Sequence, residues 1–338
     1  MTGHPFRGGG GERPEVLICA GLDPSGGAGL IADVRVVSEL GCRPVGVVTA
    51  LTVQNTTAVV ETEAMRPELV REQLEFLLSD IEVRAVKIGM IGSSEVAKSI
   101  GQALALTQAP LVWDPVIHPS RGDVSFVDSL FGHAVAALMP HVTLLTPNAS
   151  ELGYLVGAQI TSLGAASAAG TALAQRFAIA VLVKGGHLGG DESIDLLCRG
   201  DRVERLAGPR TPGGEHVHGT GCALSSAIAA GLARGEELVE ACRLAKLYVA
   251  ARIAAPAHPG RGAAALVCRE SARGTAHRAR ARAPRHVHQE LGRSRLRGRV
   301  RSAGLRMTGI TVERRALVGS SVGLRARAHA RATLICER

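Results

Sequence analysis

Short apolar runs alternate with helix-period segments along most of this chain, and that alternation restricts the fold more than any other feature. Residues 16–20, 45–51, 85–88, 111–113, 143–145 and 179–183 are too short for buried helices and largely apolar, so they read as buried strands. Between them, apolar residues recur at three- and four-residue spacing. Leu30, Ile31, Val34, Val37 and Leu40 line one helical face ahead of Gly41. Leu69, Val70, Leu74, Leu77, Leu78 and Ile81 do the same across 67–81, and a further helix is expected near 93–106. Residues 193–198 and 202–206 flank Arg199-Gly200-Asp201 as a hairpin, and a last helix runs over 236–253. The pattern predicts an α/β fold with a mostly parallel central sheet and helices on both faces. With one Trp, two Tyr and five Phe in 338 residues, its core must be built from Val, Leu, Ile and Ala.

Polar residues recur at the same place in each unit. Asp33, Gln54, Asp114, Asn148, Glu151 and Lys184 are expected just beyond strands, in loops or first helical turns. In an open α/β sheet those positions share the carboxyl-end crevice where ligands bind. A further stretch, His218-Gly219-Thr220-Gly221-Cys222, is followed by a small-residue helix. Backbone N–H groups left unpaired at that helix start, together with its dipole, make a candidate phosphate-binding anion hole. Cys222 lies in the first turn, where that field favours a thiolate. Taken alone, the pentapeptide reads rather as a close-packing turn, because short glycine motifs recur by chance.

Charge divides the chain. Residues 269–338 hold 18 Arg, no Lys and 4 Glu, a net of +14, and the preceding residues carry 21 basic against 26 acidic side chains. The net charge of +9 therefore belongs to the tail. Residues 1–14 are expected to be a flexible leader, 15–268 a globular body, and 269–338 an Arg-rich extension with little apolar pattern. That extension reads as a nucleic-acid-binding arm, an inert disordered segment or an out-of-frame product of a GC-rich gene, with the third favoured. Seven scattered cysteines without a Cys-x-x-Cys pair argue against a disulfide framework or a cysteine zinc site. No apolar run spans a bilayer, and a cytoplasmic protein is expected. The pairs His216/His218 and His286/His288 lack a third ligand nearby, so metal binding by them is not favoured.

Seven stretches, in order, resemble the hydroxymethylpyrimidine/phosphomethylpyrimidine kinases of thiamin biosynthesis, within the ribokinase-like superfamily. They are residues 20–29 (Ala-Gly-Leu-Asp-Pro-Ser-Gly-Gly-Ala-Gly), Thr49-Ala50-Leu51 with Gln54-Asn55, Lys87-Ile88-Gly89-Met90, Asp114-Pro115-Val116, Thr146-Pro147-Asn148 with Glu151, Lys184-Gly185-Gly186-His187 and the Gly219 pentapeptide. The resemblance implies a ribokinase-like kinase domain over 15–268 that uses ATP and Mg²⁺. It implies phosphorylation of 4-amino-5-hydroxymethyl-2-methylpyrimidine and then of its monophosphate, and a homodimer. Asp33 and Gln54 would hydrogen-bond the pyrimidine, with Ala28, Met90 and Val116 as apolar walls. Asp114 and Glu151 would hold Mg²⁺ partly through water, and Asn148, Lys184 and Thr220 would meet the ATP phosphates. Gly219, Thr220, Gly221 and Cys222 would form the anion hole, with the Cys222 sulfur secondary, since phosphoryl transfer depends more on positioning than on a strong base. The stretch 117–123 and the region after Gly262 depart from the family pattern, which leaves the substrate lid undefined. Pyridoxal kinase of the same fold, and a catalytically idle pyrimidine-binding regulator, are the alternatives; Gln54 and Met90 favour the aminopyrimidine.

Overall fold

The computed structural model describes residues 13–118, 126, 129–186, 188 and 190–266. Most of the expected leader, residues 119–123 of the departing stretch, His187, His286, His288 and the whole segment from 269 onward lie outside the described residues. One nine-stranded sheet contains β1 (Glu15–Leu22), β2 (Arg43–Gln54), β3 (Val59–Ala64), β4 (Ala85–Ile88), β5 (Leu111–Trp113), β6 (Leu144–Leu145), β7 (Ala180–Val183), β8 (Glu192–Arg199) and β9 (Arg202–Pro209). Across the sheet they run in the order β3-β2-β1-β4-β5-β6-β7-β8-β9. The six strands from β2 to β7 in that order are parallel. β3 at one end and the β8–β9 hairpin at the other are antiparallel. A separate parallel pair joins β10 (Val217–His218) to β11 (Ala264–Ala265).

The helices are α1 (Gly29–Glu39), α2 (Pro67–Leu78), α3 (Ser94–Leu104), α4 (Phe131–Leu138), α5 (Ala149–Val156), α6 (Leu163–Phe177), α7 (Thr220–Ala233) and α8 (Leu238–Ile253). Strand residues alternate between the two sheet faces, as a pleated strand requires. Leu17, Cys19, Val86, Ile88 and Trp113 pack on one face with Leu74 of α2, Ile100 of α3 and Leu138 of α4. Val16, Ile18, Ala20 and Val112 pack on the other, beneath α1, α7 and α8. α7 is buried on nearly every side. Its Ala, Ser and Gly residues let it lie close against both α1 and the sheet, and they also erase any apolar stripe.

β3 and α4 to α6 are not marked by the sequence patterns above. β3 carries Glu61 and Glu63, exposed charges that suit an edge strand. α6 is mostly Ala and Gly, so its helical period is faint. Among the described residues no helix is long and apolar enough to cross a membrane.

Candidate active site

Two glycines bring two helix starts together. Gly219, the N-cap of α7, has φ 82°, and a Cβ there would stand 2.0 Å from the Gly27 carbonyl oxygen. Gly29, the first residue of α1, has φ 58°, and its Cβ would stand 2.3 Å from the Gly21 carbonyl oxygen. Only glycine tolerates both the left-handed backbone and the contact. The result is that Ala28, the N-cap of α1, lies against the start of α7, and the positive ends of both helices converge.

They converge on a cavity of about 720 Å³ at the carboxyl ends of the parallel strands. Gln54, Ala28, Met90 and Val116 line its β1–β2–β4 side. Asn148, Glu151 and Lys184 line the β6–β7 side. Asp114 and the turn Gly219, Thr220, Gly221 and Cys222 lie between. Gln54 is the last residue of β2 rather than a loop residue, and strand pairing with Val59 holds it at the rim.

Asp33 is corrected by the structure. It sits in the second turn of α1, completely buried, and does not line the cavity. Its Oδ2 accepts from Lys87 Nζ at 2.5 Å and its Oδ1 from Ser226 Oγ at 2.8 Å, so both oxygens are committed beneath the cavity floor. Burial pushes the Asp33 carboxyl above the usual range, with Lys87 and Ser226 pulling it back. Burial acts to strip the proton from Lys87, but the nearby negative groups, Asp33 first and Asp114 with it, together hold the ammonium above its ordinary value.

The carboxylate at the rim is Asp23, quoted above only as part of a motif. It lines the cavity beside Gln54. Asp23 Oδ1 accepts from the Ser25 backbone N–H and Oγ at 2.8 and 2.7 Å, and Oδ2 accepts from the Ala28 N–H. His218 Nε2 lies 3.2 Å from Asp23 Oδ2 and 3.3 Å from Gln54 Nε2. Burial opposes ionisation of Asp23, yet the hydrogen bonds from His218 and Ser25 hold its pKa below the usual range. The signal that marks Asp23 is its place: an Asx turn directly after β1, where the rim argument already pointed. For His218, half-hidden in the glycine pentapeptide, its second neighbour 164 residues earlier could not be read from spacing.

On the other side, Lys184 follows β7. Its side chain is 14% exposed, and Nζ stands 2.6 Å from Asp114 Oδ1 and 3.5 Å from Glu151 Oε2. It is a paired cation, not a lysine leaving for solvent. Burial works against its charge, and Asp114 and Glu151 overcome this and hold it protonated. Asn148 and Glu151 also form a capping box on α5: Asn148 Oδ1 accepts from the Glu151 N–H at 2.9 Å, and Glu151 Oε2 accepts from the Asn148 N–H at 2.7 Å. This fixes both side chains at the rim. Asp114 and Glu151 are hard oxygen donors of the kind Mg²⁺ takes alongside water and phosphate. Among the described residues no group of three His, Cys, Asp or Glu could hold a metal unaided.

Cys222 is corrected in its protonation. Burial pushes its thiol up to about 12, against a smaller opposite pull from Lys87. Loss of hydration, with Asp33 and Asp114 nearby, disfavours the charged form, and the group is a neutral thiol at pH 7 rather than the thiolate expected of a helix start. The backbone of the turn remains available. A Cβ on Gly221 would lie 3.1 Å from Lys184 Nζ and 3.7 Å from Asp114 Oδ2, so glycine there brings the turn against both charges.

The arrangement has the parts of a phosphoryl-transfer site: a cradle of backbone N–H groups, a buried lysine, two carboxylates and a polar-edged end of the same cavity. Comparison with known proteins agrees. The family profile described as "Phosphomethylpyrimidine kinase" matches residues 23–267. A hydroxymethylpyrimidine/phosphomethylpyrimidine kinase from Streptomyces coelicolor is 41% identical over 245 residues, covering 72% of this chain and 89% of that protein. The structure of phosphomethylpyrimidine kinase from Clostridium difficile superposes with a TM-score of 0.60 at 33% identity, over 72% of this chain and 100% of that one. The pyridoxal kinase from Staphylococcus aureus in complex with AMP-PCP superposes with a TM-score of 0.69 at 30% identity, over 76% of this chain and 93% of that one.

Proposed function

The chain belongs to the phosphomethylpyrimidine kinase family, and on that footing we propose that it acts twice on one pyrimidine: ATP phosphorylates 4-amino-5-hydroxymethyl-2-methylpyrimidine and then its monophosphate. It is an ATP-dependent phosphotransferase of thiamin biosynthesis with a ribokinase-like α/β fold. The observation that carries the reading is the single cavity with a polar pair, Asp23 and Gln54, at one end and Lys184 with the Gly219 turn at the other.

An aminopyrimidine offers an exocyclic N–H₂ donor beside a ring-nitrogen acceptor, and the Gln54 side-chain amide can satisfy both, with Asp23, held by Ser25 and Ala28, beside it through His218. His218 presses on both and holds them in place. Ala28, Met90 and Val116 supply apolar walls. The backbone N–H groups of Gly219 to Cys222 receive the oxygens of the transferred phosphoryl group, and Lys184 neutralises its charge. Asp114 and Glu151 would hold Mg²⁺, which supplies further neutralisation of the nucleotide phosphates. Asn148 and Thr220 border the phosphates. A loose transition state places little charge on the attacking oxygen, so a neutral Cys222 is compatible with turnover.

The chain is proposed to act as a homodimer through the β2–β3 ribbon, where Leu51, Val53 and Val60 are exposed on the outer end of the sheet. A cytoplasmic location fits such a biosynthetic enzyme.

Pyridoxal phosphorylation is the second reading, favoured by the higher TM-score to the Staphylococcus aureus enzyme. ATP turnover with the hydroxymethylpyrimidine, its monophosphate and pyridoxal, offered separately, decides between them. Diphosphate from the monophosphate is the expected result, and Gln54→Ala should then raise KM for the pyrimidine about tenfold or more, as loss of a paired polar contact does. Turnover of pyridoxal alone assigns the second reading. Pyrimidine binding without turnover assigns an idle regulator.

A further inference from the structure

We propose that Lys87 is the acceptor-side cation of this site, its ammonium serving a phosphate already on the substrate while Lys184 serves the nucleotide. This rests on the reading above that the second acceptor is a monophosphate.

Lys87 lies in β4, a strand buried along its whole length. Val86 and Ile88 enter the core on one sheet face, so Lys87 must point to the other, between α1 and α7, where it meets Asp33, whose second oxygen accepts from Ser226. Both members of the Lys87–Asp33 pair are 0% exposed. Burying two charges costs more hydration than packing an apolar pair, and such pairs add little to stability over apolar replacements. Gain in stability over an apolar pair therefore does not by itself account for the choice of residues.

Three observations point into the cavity instead. Lys87 borders it and Asp33 does not, so the ammonium lies just under the floor, between the cavity and the carboxylate. Glycine at 89 is what lets the ammonium lie against the backbone that follows β4, because a Cβ there would stand 2.7 Å from Lys87 Nζ. Sheet order then sets the sides. β4 neighbours β5 on the side away from β7, so Asp114 at the end of β5 has Lys87 toward Gln54 and Met90 and Lys184 toward Asn148.

The chemistry supplies the need. The first acceptor is a neutral alcohol, and the second is a monophosphate, largely dianionic at neutral pH because its second pKa is about 6. Bringing it against the γ-phosphate sets like charges together in a dry site, where each unit of charge weighs more than in water. In that step an acceptor phosphate oxygen bonds to the γ-phosphorus as its bond to the β–γ bridging oxygen breaks. ADP leaves with the electron pair, and no proton moves. Lys87 stays protonated throughout and acts as a fixed charge.

The test compares both substrates in one preparation. Lys87→Met with Asp33→Asn removes the cation without leaving a buried carboxylate alone, and the amide oxygen so introduced can still accept from Ser226. The ratio of kcat/KM for the monophosphate to kcat/KM for the alcohol is expected to fall about tenfold or more, the scale of losing one charged phosphate partner. Ser226→Ala, which only loosens Asp33, should shift the ratio the same way by less, and it decides the matter if the paired variant does not fold. Equal losses on both substrates, or an unchanged ratio in the folded variant, overturn the proposal. Failure of the wild-type protein to use the monophosphate would instead overturn the reading on which it rests.

Discussion

Cys222 shows two local effects opposing each other on one atom. The start of α7 favours a thiolate, and loss of hydration disfavours it more strongly, so the thiol moves from an ordinary value of 9.0 up to about 12. At pH 8 this leaves about a thousandfold less thiolate than an ordinary cysteine holds, and alkylation by iodoacetamide should slow accordingly. Residue-resolved mass spectrometry of the labelled protein between pH 7 and 10 would read this directly. Cys222 is expected to label slowly throughout, and a rate matching that of a free cysteine peptide would contradict the neutral thiol. Asp23 and Asp33 make the related point about acids. Both lie beyond β1, yet one is held at the rim by the Ser25 turn and the other is carried by α1 under the floor. The family resemblance points to Asp33, and motif matching does not resolve a ten-residue offset around a glycine loop.

At the scale of elements, the glycine turns are the parts most exposed to substitution. Gly219→Ala must place a Cβ 2.0 Å from the Gly27 carbonyl oxygen in a backbone with φ 82°. Strain of that kind costs about 1–3 kcal/mol before the clash is counted. Chemical denaturation should therefore show a clear loss of stability, and activity should fall further because the two helix starts separate. An unchanged midpoint with full activity would mean the turns are not in contact. These two turns were legible beforehand, since glycine spacing and turn chemistry are local. The α5 capping box was legible only in part: Asn148 and Glu151 stand three apart, but their reciprocal hydrogen bonds also fix two rim residues, and that second role depends on where α5 is packed.

At the scale of the whole molecule, two outcomes follow from charge. Lys87 is held above its ordinary 10.5 by Asp33, so it contributes stability that is fully present below that pH and is lost as pH rises through the higher folded value. Thermal melts should show Tm falling above about pH 10.5, and Lys87→Met with Asp33→Asn should remove that part of the fall. A wild-type Tm flat well beyond that pH would argue that the pair is not charged. The body and the Arg-rich segment are proposed to be separate, so a chain ending at residue 268 should keep kcat and KM for both pyrimidines; loss of activity on truncation would tie the tail to the fold. Strand and helix alternation, the glycine pentapeptide and the rim positions of Gln54, Asp114, Asn148 and Lys184 were determined by the chain alone, because periodicity and turn chemistry act over a few residues. The pairing of Lys184 with Asp114, of His218 with Asp23 and Gln54, and of Lys87 with Asp33 joins residues 54 to 195 positions apart. Only the sheet order and the packing of α1 and α7 against the parallel strands decide those pairings, because burial and charge compensation exist only once the layers have closed.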